Sequence, residues 1–197
     1  MINEGYIKFK CNWIRGKPIS EEKINEMNQW RSKLYGLGLI GAYRDGTGFG
    51  NISVRLKNNQ FIISGSQTGS TPLLTNNHYT IVTKSDIIKN KLTCKGSIIA
   101  SSESLTHSAL YLASKEINAV IHVHNLNLWK KLIYKIPTTK EVPYGTPEMA
   151  NEIFRLFKET DIREKKILVM AGHKEGVISF GKDIEGAGNV LLQSFSP

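Results

Sequence analysis

Long apolar segments are missing from this chain of 197 residues. No stretch approaches the ~20 consecutive apolar residues that a membrane-spanning helix needs. The amino-terminal sequence, MINEGYIKFKCNWIRGKP, also lacks the unbroken apolar run that is typical of a signal peptide. We therefore expect a cytoplasmic protein without a membrane partner.

Cysteine is scarce as well, since Cys11 and Cys94 are the two in the sequence. Two cysteines in unrelated contexts do not build a disulfide framework, and their spacing matches no zinc-finger pattern. Free thiols in a reducing compartment are the expected state of both.

Acidic residues are outnumbered, 17 against 26 lysines and arginines, which gives a net charge of +9. The basic residues are scattered in ones and twos, without a basic helix or an aromatic-and-glycine RNA-binding signature. We therefore expect no nucleic-acid partner. A dispersed positive field attracts small anions, and a phosphorylated metabolite would fit it.

Length and composition favour a single domain over residues 1–197, with residues 1–20 as an amino-terminal extension. Helices with an apolar face are predicted to begin near Ser20, Ser102, Thr146 and Asp183. Strands are predicted at 51–56, 60–64, 79–83, 118–124, 167–171 and 176–180. The alternation predicts a layered α/β domain, and the short turn at 57–59 indicates antiparallel neighbours.

Two of the five histidines, His122 and His124, are separated by one residue within a predicted strand. Strand side chains alternate between faces, so both imidazoles project from the same side, within reach of one ion. A catalytic zinc site usually takes three protein ligands and keeps one open position. His173, in a glycine-flanked turn between two predicted strands, is the best candidate for the third ligand.

The other histidines are less telling. His107 lies one helical turn after Glu103, so the two can face the same way, and His107 either binds a metal or supports a ligand. His78 follows a polar run and is expected to be structural or exposed to solvent. A His-Xaa-His pair is by itself a weak motif, and scattered structural histidines are the alternative.

A phosphate group has natural donors near Ser101 and Ser102, because hydroxyls and free N–H groups meet at a predicted helix start. A simple helix cap is the alternative interpretation of Ser102. For Gly48, Gly50 and Asn51 the alternative is an ordinary tight turn before a strand.

In their order along the chain, from about residue 30 to residue 192, these motifs resemble the class II aldolase/adducin family. Its best-known members are fuculose-phosphate and rhamnulose-phosphate aldolases. The resemblance is carried by Gly48–Arg55 (GFGNISVR), Thr68-Gly69, Ser101-Ser102-Glu103 with His107, His122-Val123-His124, and His173 followed by Gly176 and Gly181.

The resemblance implies a three-layer α/β/α sandwich with a mixed, mostly antiparallel central sheet, assembled as a homotetramer. It implies one Zn²⁺ per subunit, or another divalent metal, held by His122, His124 and His173. Glu103 would coordinate the metal of the empty site and then serve as general acid/base. The phosphate would be surrounded by Gly50, Asn51, Thr68, Gly69, Ser101 and Ser102.

The implied activity is a zinc-dependent lyase of the aldolase type, which cleaves a small phosphorylated ketose through a metal-stabilised enediolate. The alternatives are a sugar-phosphate dehydratase or decarboxylase of the same superfamily, or a non-catalytic, adducin-like binding or scaffold protein. The epimerase branch carries aspartate where Glu103 stands here, which makes it a weaker match.

The chain departs from the family pattern after the His-Xaa-His strand. The segment that carries a proton-donating tyrosine in sugar-phosphate aldolases is shortened, and Tyr144 is the candidate to replace that residue. His107 and Tyr144 are therefore expected to support a ligand or to contact the substrate. Lys174 and Glu175 lengthen the loop after His173.

Overall fold

The computed structural model describes residues 5–195 of the chain. Its centre is a sheet of eight strands, accompanied by a two-stranded hairpin. The hairpin pairs β2 (Gly41–Ala42) with β3 (Gly48–Phe49). The strands of the sheet are β1 (Lys10–Arg15), β4 (Asn51–Arg55), β5 (Phe61–Ser64), β6 (Tyr79–Asp86), β7 (Lys91–Gly96), β8 (Ala119–His124), β9 (Ile167–Val169) and β10 (Gly176–Gly181).

Within the sheet the strands follow the order β1-β7-β6-β5-β4-β8-β10-β9. The outer pair, β1 and β7, is parallel, and every other pair is antiparallel. This topology confirms the expected mixed, mostly antiparallel sheet. It also places β8, the strand of the paired histidines, between β4 and β10 in the interior of the sheet.

Six helices accompany the sheet in the described residues: α1 (Asn25–Gly36), α2 (Ser104–Ala113), α3 (Leu126–Leu132), α4 (Pro147–Glu159), α5 (Ile162–Lys165) and α6 (Ile184–Phe195). The helix α4 shows why these segments form where they do. Pro147 opens it, the Thr146 hydroxyl accepts a hydrogen bond from Met149 N, and Ile153 and Leu156 face the core. None of the described helices has both the length and the apolar character to cross a membrane.

Two apolar cores lie on opposite faces of the sheet, because successive residues of a strand point to opposite sides. In β8, Val120 joins a cluster with Leu105 of α2 and Ile153 of α4. Its neighbour Ile121 joins a second cluster that includes Leu34 of α1 and residues of α6. The sheet is thus covered by helices on both sides, which confirms the three-layer arrangement.

The predicted strands and helices are all present, but two helix starts were placed wrongly. Ser20 makes no capping hydrogen bond, since residues Glu21–Lys23 form a short 3-10 turn before α1. Ser102 is not the cap of α2 either, because Glu103 occupies that position. Capping preference locates a helix end only within a few residues.

Several elements had no clear signal in the sequence, and β1 is the most informative of them. Residues 10–15, within the predicted amino-terminal extension, form the outer strand of the sheet. Cys11 on β1 and Cys94 on β7 are both free thiols, as expected, although their Sγ atoms are only 3.7 Å apart.

Gly181 offers a test of the connection between β10 and α6. A Cβ at this position would lie 2.7 Å from Ala187 N and 3.0 Å from Gly186 C, both main-chain atoms. We expect Gly181→Ala to lower the free energy of unfolding by about 1–3 kcal/mol, measured by urea denaturation.

The matched control is Gly36→Ala at the end of α1, where an added Cβ would have nothing within 4 Å. This variant should be neutral or stabilising by up to about 1 kcal/mol, since alanine is the better helix former. Equal destabilisation by the two substitutions would contradict the close packing at Gly181.

Candidate functional site

The paired histidines lie at the carboxyl end of β8, and both are buried. Their ring centroids are 4.9 Å apart. The alternating residues Ile121 and Val123 enter the apolar core on the other side of the sheet. The structure therefore places both imidazoles on one face, as the two-residue period of a strand predicts.

His173 reaches the same place from the turn between β9 and β10. Its ring centroid lies 5.2 Å from that of His122 and 4.6 Å from that of His124. One ligand nitrogen from each of the three histidines lies within 4.8 Å of the others. Gly176 makes room for this approach, because a Cβ there would lie 3.2 Å from His122 Nε2.

Glu103 completes the cluster from the cap position of α2, where its exposed fraction is 0%. Its Oε1 lies 3.2 Å from Nδ1 of His173. Burial opposes ionisation of this carboxyl, but contact with His173 and the charge interactions with His122 and His173 outweigh it and hold the pKa at about 2. The group is therefore a carboxylate at neutral pH.

This donor set suits a divalent metal. Burial, together with the neighbouring His173 and His122, holds the pKa of His124 well below its usual value, so its imidazole is neutral, as a metal ligand must be. In the described part of the chain, the buried Glu103 Oε2 accepts no hydrogen bond. His122, His124 and His173 would hold such an ion between their ring nitrogens.

A tyrosine that the sequence did not reveal supports His124. Tyr43 OH lies 2.8 Å from His124 Nδ1 and donates a hydrogen bond to Glu175 Oε2 over 3.1 Å. With the hydroxyl proton given to Glu175, His124 Nδ1–H donates to the tyrosine oxygen, which leaves Nε2 with its lone pair. Such outer contacts orient metal-binding imidazoles. The loop residue Glu175 is thus paired with Tyr43, a contact that the sequence could not reveal.

His107 does not join the three converging histidines, although it lies one turn after Glu103. Its Nδ1 lies 2.7 Å from Ser53 Oγ, and the same hydroxyl lies 2.7 Å from Tyr111 OH. Burial is the main reason why its pKa falls to about 3, so the ring is neutral. Of the two roles that the sequence left open, this geometry favours support over ligation.

Tyr144 stacks on His173, with ring centroids 4.4 Å apart and planes inclined by 24°. Its hydroxyl accepts a hydrogen bond from Tyr6 N at 3.1 Å and donates one to Tyr6 O at 3.3 Å. The Lys8 ammonium lies 3.3 Å from the centre of the Tyr144 ring. The segment before β1 thereby fixes a side chain that contacts the histidine cluster.

The residues that were predicted to bind phosphate belong to three segments of the chain, which meet beside the histidines. Two of these segments lie next to each other. A bridge between Gly65 and Ala100 brings the segment of Ser101 and Ser102 next to the loop of Thr68 and Gly69. A Cβ on Gly69 would lie only 2.7 Å from Phe49 N, so that loop also touches β3.

The third segment reaches the cluster directly. The ring of Phe49 stacks on His124 at 5.4 Å. Asn51 is the register partner of His122, and its Nδ2 lies 3.4 Å from His122 Nδ1. Gly50 has a φ of 78°, and a Cβ there would lie 2.8 Å from Ile40 Cγ1. Its position therefore needs glycine for conformation as well as for space.

His78 lies outside this cluster and has a structural role, as expected. Its Nδ1 accepts a hydrogen bond from Thr75 N over 3.0 Å and lies 3.0 Å from the hydroxyl of the same residue. These contacts form a capping box on the 3-10 turn Asn76–His78.

Solved structures share this fold at low sequence identity. An L-fuculose 1-phosphate aldolase superposes with a TM-score of 0.68 at 19% identity, over 89% of this chain and 82% of that one. YgbL from Klebsiella pneumoniae, described as a putative aldolase/epimerase/decarboxylase, gives 0.67 at 17% over 89% and 86%. The L-fuculose-1-phosphate aldolase from Thermus thermophilus gives 0.62 at 21% over 89% and 87%.

A search of curated proteins found no match to this chain. The sequence model of the family described as "Class II Aldolase and Adducin N-terminal domain" matches residues 42–193, which is most of the chain and includes the four residues of the buried cluster. On this match the chain belongs to the class II aldolase/adducin family.

Proposed function

We propose that this protein is a zinc-dependent lyase of the aldolase type that cleaves a small phosphorylated ketose. The observation that carries the proposal is the buried cluster of His122, His124, His173 and the ionised Glu103. The fold is compatible with this activity, since aldolases are among the similar structures. Homotetrameric assembly and a cytoplasmic location stay predictions.

The proposed roles follow from the chemistry of the side chains. The three imidazoles would hold a zinc ion, which would supply a Lewis acid for the negative charge that develops on the carbonyl side when the bond between the α and β carbons of the ketose breaks. Glu103 carries the proton that this reaction moves, because it is ionised and within contact distance of the cluster. The loop of Thr68 and Gly69 and the segment of Ser101 and Ser102 hold the phosphate.

A dehydratase or decarboxylase would use the same metal and carboxylate, so the reaction must be identified by its product. A screen of small phosphorylated ketoses with zinc present, scored by aldehyde release, tests the aldolase proposal directly. If none released an aldehyde while another sugar phosphate lost water or CO₂, the superfamily alternative would replace it.

An adducin-like scaffold without catalysis is the other alternative, and the burial of Glu103 disfavours it. A carboxylate with an exposed fraction of 0% is expensive to keep ionised unless a cation or several donors compensate it. A protein that needs no metal would gain stability by replacing this group. We therefore prefer a metal-dependent catalytic function, in which the negative charge of Glu103 has a role.

Removing a ligand should remove the metal. We expect His122→Ala, His124→Ala and His173→Ala each to retain less than about a tenth of an equivalent of zinc after reconstitution and desalting. Metal is measured by inductively coupled plasma mass spectrometry. His78→Ala is the matched control and should retain the wild-type amount. A wild-type protein without bound metal would support the scaffold alternative.

Glu103→Gln separates metal binding from proton transfer, because the amide keeps the shape but cannot act as a base. Zinc content should stay near that of the wild type, whereas turnover of the identified substrate should fall by about 100-fold or more. Full activity in this variant would refute the acid/base assignment.

Tyr144→Phe tests whether the tyrosine donates a proton. The hydroxyl already binds the main chain of Tyr6, so we expect turnover within about threefold of wild type, whereas loss of a proton donor costs about 100-fold or more. Steady-state kinetics decide between these outcomes. A large loss of turnover with unchanged zinc content would assign proton donation to Tyr144.

A further inference from the structure

A buried arginine lies behind the loop of Thr68 and Gly69. Arg31, in the middle of α1, has an exposed fraction of 2%. Its Nη1 donates a hydrogen bond to Pro72 O over 2.7 Å, and its Nη2 donates to Thr68 O over 3.0 Å and to Gly69 O over 2.8 Å. All three acceptors are main-chain carbonyls of one loop.

This guanidinium has no anionic partner among residues 5–195, since no carboxylate of that range forms an ion pair with it. Its Cζ lies 4.7 Å from the centre of the Tyr35 ring. Burial lowers the pKa of Arg31 from its usual value, yet arginine keeps its charge in proteins. Carbonyl dipoles solvate the cation without neutralising it. A full positive charge therefore remains under the loop.

The same hydrogen bonds fix which side of the loop presents its donors. In a trans peptide the C=O and the following N–H point in opposite directions. Because the carbonyls of Thr68 and Gly69 point to Arg31, the N–H groups of Gly69 and Ser70 point away from it. Neither N–H donates to an acceptor in the described residues.

Gly48 keeps side-chain atoms away from one of these donors. A Cβ at residue 48 would lie 3.1 Å from Gly69 N, so any other residue would crowd that nitrogen. Two unused N–H groups backed by a buried positive charge form a site that favours an anion.

We propose that Arg31 is a positioning residue that adapts this loop to a doubly charged phosphate group. It acts through the loop: it turns the carbonyls towards itself, leaves the N–H groups of Gly69 and Ser70 without an acceptor in the described residues, and supplies a positive charge behind them. The bound phosphate is then the counter-ion of the arginine. This inference rests on the proposed phosphate-binding function of the Thr68–Gly69 loop and extends it to a residue that never touches the ligand.

The test is a titration of the full-length protein with inorganic phosphate at constant ionic strength, followed by calorimetry. It is done with zinc and again after chelation, because phosphate could otherwise bind the metal. Arg31→Met should weaken phosphate binding by about tenfold or more, since both the charge and the loop orientation are lost. Its zinc content should equal that of the wild type, which a general loss of structure would not allow.

Arg15→Met on the exposed part of β1 is the matched control, as it removes the same charge from the overall field. It should bind phosphate within about twofold of wild type. A folded Arg31→Met protein that binds phosphate as well as Arg15→Met does would overturn the inference.

Arg31→Lys keeps the test decisive if the methionine variant does not fold. A single ammonium cannot serve the carbonyls as the guanidinium fork does, so phosphate binding should weaken by about threefold or more. Unchanged binding in the lysine variant would contradict the orienting role. If the wild type binds zinc but no phosphate, the inference fails together with the phosphate assignments, while the metal proposal is unaffected.

Discussion

Desolvation of ionisable groups is the constraint on which the candidate site depends. His122, His124, His173 and Glu103 are removed from water together, so each protonation state is set by its neighbours. Burial lowers the pKa of His124, whereas contact with His173 and the charge interactions with His122 and His173 keep Glu103 ionised. A divalent cation would satisfy the ionised Glu103 and the neutral His124 together, which links the stability of this region to the ligand it is proposed to hold.

The fold holds these groups by contacts that come from distant parts of the chain. Tyr43 fixes the tautomer of His124, Tyr144 covers His173, and Ser53 orients His107. None of these supporting residues needs to contact a substrate. They restrict the motion of the side chains that would.

The sequence predicted what depends on local periodicity. The period of a strand placed His122 and His124 on one face, and helical spacing placed His107 one turn after Glu103. The roles of Tyr43 and Arg31 could not be predicted, because their partners lie 81 and 37 or more residues away. The pairing of β1 with β7 could not be predicted for the same reason, since a parallel edge strand depends on a partner about 80 residues further along the chain.

The hydrogen bonds between Tyr6 and the Tyr144 hydroxyl give the segment before β1 an unexpected importance. A change in that segment that breaks them would act on the aromatic ring that covers His173. The last described helix, α6, packs on β8 and β10 over the apolar cluster on the opposite face from the imidazoles. Of these two outlying segments, the one before β1 therefore bears on the candidate metal ligands, whereas α6 is separated from them by the sheet.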